Sequence, residues 1–119
     1  MYDYTTIEEF MGKTLKSYNQ TDSEITFTFD NGDIYEMRHE RECCENVWLD
    51  DVCGNLDDLL NTPIIVAEER FENVDPEDGY GILGWTFYEL ATVKGSVTLK
   101  WCGESNGYYS VGVDIIKES

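Results

Sequence analysis

The run His39-Glu40-Arg41-Glu42-Cys43-Cys44 is the one constellation in this chain with the makings of chemistry. It joins the single histidine to two adjacent thiols, and Cys53 follows next to Gly54. Zinc binds imidazole nitrogen and thiolate sulfur, four ligands in a tetrahedron. His39, Cys43, Cys44 and Cys53 are therefore the expected ligands of a structural zinc site, with Cys102 in reserve. His39 and Cys43 share a face if the segment turns as a helix; a tight loop leaving a strand converges them as well. The spacing is no standard knuckle, since it lacks a CxxC pair. A second reading leaves Cys43 or Cys44 as a small buried core residue and His39 at a strand end. A third pairs a thiol nucleophile with His39, but surrounding carboxylates raise a thiol's pKa and blunt it. A catalytic zinc needs an open position and a general base, and no second residue stands out for that role.

The elements that must position these residues sit in a strongly acidic chain. It has 25 Asp plus Glu against 8 Lys plus Arg, a net charge of −17. Such a field repels nucleic-acid phosphates and anionic membranes, and is drawn to basic surfaces. The acid is uneven: from Asp30 to Asp78 sixteen carboxylates face three arginines and no lysine. One strongly negative face is the expectation, with Asp50, Asp51, Asp57 and Asp58 as its partner-binding residues. Those two Asp pairs fit no EF-hand loop, so a solvated acidic face is preferred over a calcium or magnesium site. No basic stripe, phosphate loop or dinucleotide fingerprint is present.

The chain suits a single domain, residues 1–119, with 41% hydrophobic residues to build a core. No run approaches the roughly 18 apolar residues of a membrane span. Met1-Tyr2-Asp3-Tyr4 lacks the basic start of a secretory leader, so the cytosol is the expected compartment and free thiols or metal ligands are expected over disulfides. Thr5 to Gly12 reads as a short helix with capping-box spacing, and Asn55 to Leu60 as a second. Glu24 to Phe29 alternates as a strand, Asp30-Asn31-Gly32-Asp33 signals a hairpin, and Ile34 to His39 returns. Further strands are expected at 14–18, 47–49, 63–69, 85–92, 96–101 and 108–115, and a mobile loop over 73–84. Trp85, Phe87, Trp101, Tyr108 and Tyr109 fall at alternating positions, with core packing as the default. The expected fold class is α+β: a mainly antiparallel sheet of about seven short strands with two short helices.

These residues carry a resemblance. Gly12-Lys13-Thr14-Leu15, His39 with Cys43-Cys44-Glu45, Gly54 to Leu59, Pro63-Ile64 with Ala67-Glu68-Glu69, Trp85 to Tyr88, Lys94-Gly95 and Gly103 to Ser110 resemble a family of short acidic proteins encoded by phages and prophages of Gram-positive bacteria. Some proteins of this kind are type II anti-CRISPR proteins, and the chain is similar to a zinc-containing one of type II-A. The resemblance implies an inhibitor without enzymatic activity. Its partner would be the type II CRISPR effector nuclease in the host bacterial cytoplasm, where it blocks target-DNA loading. It implies Cys and His zinc ligands around His39 and Cys43-Cys44, and leaves open whether Cys53 or Cys102 completes the set. The alternative is a sponge for a small signalling nucleotide, and behind that a metal-dependent hydrolase.

Overall fold

A computed structural model describes residues 2–40, 45–74, 82–105 and 111–118. Among the described residues, nine strands form two antiparallel sheets: β1 (Tyr2–Thr5), β2 (Leu15–Gln20), β3 (Glu24–Phe29), β4 (Ile34–Arg38), β5 (Asn46–Cys53), β6 (Val66–Val74), β7 (Ile82–Thr92), β8 (Gly95–Ser105) and β9 (Asp114–Glu118). The first sheet has the order β1-β9-β4-β3-β2 and the second β5-β8-β7-β6. The chain thus enters the first sheet, crosses to the second after β4, and returns for β9.

The α+β expectation is corrected: the fold is all-β, with no α-helix among the described residues. The two expected helices are single 3-10 turns, η1 (Ile7–Phe10) and η2 (Leu56–Leu59). Their sequences explain this. Each has one buried apolar pair three residues apart, Ile7 with Phe10 and Leu56 with Leu59. A three-residue repeat per turn places such a pair on one side. Four residues on from Ile7 stands Met11, which is exposed, and four on from Leu56 stands Leu60, which is only half-buried, so neither run carries a second fully buried turn. Thr6, not Thr5, precedes η1, and its side chain makes no cap. Asn55 does cap η2, its side-chain oxygen accepting the Asp57 N–H at 2.9 Å.

Strand bounds also shift. The 47–49 strand extends to Asn46–Cys53, the 63–69 strand starts later at Val66, and the last described strand is Asp114–Glu118 in place of 108–115. Strand β1, pairing with β9, was hidden by its polar composition. The β3–β4 hairpin forms as expected, with Gly32 at φ +93. Its loop holds three residues, because Gly32 N–H reaches Phe29 O at 3.1 Å and Phe29 N–H reaches Asp33 O at 2.9 Å.

The inner faces of both sheets supply one core. Phe10 plugs its first-sheet side, edge-on to Phe27, Phe29 and Tyr35 with ring centres 4.9–5.1 Å away. Trp101 reaches from the second sheet, its Nε1–H donating to Met37 Sδ of the first at 3.3 Å. The two buried tyrosine hydroxyls have partners: Tyr35 donates to Glu9 Oε2 at 2.8 Å and Tyr88 to Glu69 Oε1 at 2.9 Å. Phe10→Ala is expected to lower the unfolding free energy by about 3–5 kcal/mol, read by urea denaturation. Met11→Ala beside it is expected to be near neutral; equal losses would remove Phe10 from its central place.

Candidate functional site

The chain crosses between the sheets just after His39. The His39 ring is almost fully buried, and its Nδ1 lies 2.6 Å from the backbone carbonyl of Gly112. A carbonyl only accepts, so Nδ1 carries the proton. That leaves Nε2 as the ring's second polar atom. It has no hydrogen-bond partner among the described residues, and it faces Glu45 Oε1 at 3.8 Å. The Glu45 side chain is fully buried. Ser23, Asn46 and Val47 complete the lining of a cleft of about 240 Å³ here.

Metal-binding histidines commonly hold one nitrogen against a carbonyl and present the other. His39 does this, so it fits the expected zinc. Cys43 and Cys44 lie outside the described residues. Cys53 is not brought near: it ends β5, eight residues beyond Glu45, which at about 3.3 Å per residue is roughly 26 Å of strand. Cys102 pairs with Trp48, whereas Val47 lines the His39 cleft. Successive strand residues point to opposite faces, so Cys102 sits on the far side of the sheet. Among the described residues no three His, Cys, Asp or Glu side chains converge in ion-binding geometry. Glu45 is the group that sequence reasoning passed over. It follows the cysteines inside an acidic run and reads as surface charge, yet its partner lies six residues back across the crossover.

The acidic quartet divides in two. Asp50 and Asp51 are exposed at a bulge of β5 where the pairing shifts between Leu49 and Asp51. Asp50 Oδ1 accepts from Trp48 Nε1 at 3.4 Å, and its Oδ2 lies 3.8 Å from Lys100 Nζ. Asp57 and Asp58 sit on η2 and are engaged with the scaffold. Asp57 Oδ1 accepts from the Tyr18 hydroxyl at 2.8 Å. Asp58 leans on the β7–β8 turn, its carbonyl accepting from Thr92 and its carboxylate lying where a Cβ at Gly95 would go.

Two aromatic residues also take unexpected places, while Tyr108 and Tyr109 lie outside the described residues. Trp101 is in the core as expected, but Trp85 and Phe87 occupy the opposite face of the second sheet, together with Trp48. Lys100 Nζ stands 4.3 Å from the centre of the Trp85 ring, and the Arg70 guanidinium 4.7 Å from that of Phe87.

Fold and site together define an all-β protein of two antiparallel sheets, with an acidic exterior and a buried His–Glu pair at the crossover. The chain belongs to the family described as domain of unknown function (DUF7448), matched over residues 8–115. No curated protein and no solved structure matches it. Among the described residues, no helix is long and apolar enough to cross a membrane.

The two described thiols differ in environment. Burial first, and then Asp50 and Glu104, push the Cys102 thiol above its ordinary pKa, while Cys53 is exposed. A raised pKa leaves less thiolate at a given pH. At pH 8, iodoacetamide is therefore expected to label Cys53 in the native protein and Cys102 only after unfolding, as followed by peptide mass mapping. Equal native rates would contradict this placement.

Proposed function

We propose that this protein is an inhibitor and not an enzyme: a phage-encoded anti-CRISPR protein of the host bacterial cytoplasm. It binds the RNA-guided nuclease of a type II CRISPR system and blocks target-DNA loading. The observation that carries the reading is the charge, −17 on 119 residues, concentrated between Asp30 and Asp78. Such nucleases hold their guide–target heteroduplex in a positively charged channel. A compact polyanion competes for that channel, with fast capture and strong salt sensitivity. Asp50 and Asp51, exposed on the β5 bulge, are available for such contacts. The cleft beside Arg70 is lined by Glu68, Glu69 and Glu89, which repel phosphate and so disfavour the nucleotide sponge.

Guide-loaded type II nuclease mixed with the protein is expected to lose capture of target duplex, with inhibition easing as salt rises. Unchanged binding and cleavage, with nucleases from several hosts, would sink the reading and bring calorimetry with cyclic nucleotides to the front.

Zinc is part of the same proposal, as a structural ion that braces the crossover and adds to folding free energy. His39 Nε2 is its nitrogen ligand, with Cys43 and Cys44 as sulfur ligands. Elemental analysis is expected to find one zinc per chain, lost in Cys43→Ser/Cys44→Ser and retained in Cys53→Ser. Retention in the double variant would remove those thiols from the site.

A further inference from the structure

The second sheet has two faces of opposite purpose. Its inner face, with Tyr88, Leu90, Val97, Leu99 and Trp101, is spent on the core. Its outer face is ordered by the strand register. Trp48 pairs with Cys102 and Cys102 with Trp85, so a thiol lies between two indoles. In the next row Asp51 pairs with Lys100, Lys100 with Phe87, and Phe87 with Arg70. Three half-buried rings thus occupy a face on which the core places no demand.

These rings already hold cations. Lys100 stands over Trp85 while keeping Asp50 at 3.8 Å, and Arg70 stands over Phe87. Each cation meets a ring face with carboxylates close by. Glu68, Glu72, Glu89 and Glu104 lie at outward positions of the same face, so with Asp50 and Asp51 six carboxylates stand against those two cations. A cation–π contact strengthens as water is excluded, and aromatic anchors are what concentrate binding energy in an interface.

We infer that this outer face is a docking surface for a basic polypeptide segment, whose Arg or Lys side chains stack on Trp48, Trp85 and Phe87 and pair with the surrounding carboxylates. Nucleic acid is a poor occupant, because the carboxylates repel phosphate. A second copy of this chain is also poor, because it brings another −17. The inference rests on the inhibitor reading for the partner's identity. It deepens that reading by moving the centre of contact from η2, where Asp57 and Asp58 are tied to the scaffold, to the sheet.

The test is an NMR titration of ¹⁵N-labelled protein with an arginine nonapeptide at low salt. The indole N–H signals of Trp48 and Trp85 are expected to shift while that of buried Trp101 stays. Trp48→Ala/Trp85→Ala is expected to weaken binding by about tenfold or more, with the unmoved Trp101 signal reporting an intact fold. Asp57→Asn/Asp58→Asn is expected to bind within about twofold of the parent. Absence of binding, or shifts confined to the first sheet and η2, overturns the inference. Guide-loaded nuclease forms the second arm. If the peptide docks at Trp48 and Trp85 yet DNA loading is unhindered, the inhibitor reading fails and the docking face stands. If the folded Trp double variant inhibits the nuclease as strongly as the parent, the face is not its contact.

Discussion

Each sheet has one face to give to the core, and this fixes where everything else goes. Strand side chains alternate, so burying Ile25, Phe27 and Phe29 sends Glu24, Thr26 and Thr28 outward in the same stroke. The same holds for β8, where Val97, Leu99 and Trp101 point in. A chain with this much negative charge repels itself when compact. It folds because the apolar residues are gathered into one continuous cluster that both sheets share, with Trp101 and Met37 meeting across it. The charge is then confined largely to outer faces and edges, where water screens it.

The buried His39–Glu45 pair is the exception, and its location accounts for it. His39 follows the last residue of β4, Glu45 precedes β5, and Gly112, which holds the ring, precedes β9. Both passages of the chain between the sheets therefore meet at one imidazole. Burying a carboxylate is costly unless it is paired. The imidazole beside it, its Nδ1–H donated to the Gly112 carbonyl, ties the two crossovers together.

Legibility in the sequence followed the strength of local pattern. Glu24–Phe29 was readable to the residue because one face is fully apolar and the Asn31-Gly32 turn ends it. The two 3-10 turns read as helices in the sequence because a capping residue and a charged first turn look alike at the start of a 3-10 turn and of an α-helix. Only the lack of a second apolar turn separates them. Strand β1 has a single partner and a polar face, so nothing in its composition announces it. The site was legible in part: His39 stood out as the sole histidine, whereas Glu45 needed the crossover geometry to be seen. Cys53 looked close in sequence, but an extended strand is the conformation that carries neighbours furthest apart.

Parity is the deeper difficulty in β7. Leu83, Trp85 and Phe87 form one apolar row, and Tyr88 with Leu90 another, so hydrophobicity alone does not say which row faces in. The structure decides it through β8, whose Trp101 pairs with Thr86 and turns inward. Trp85 and Phe87 are then forced out, beside the acids of β5. The bulge there completes the arrangement. Strict alternation after Leu49 would turn Asp51 toward the core; one extra residue lets Asp50 and Asp51 both stay exposed while Val52 returns inward opposite Leu99. A register irregularity in one edge strand thus keeps a carboxylate out of the core and sets two acids beside the aromatic face.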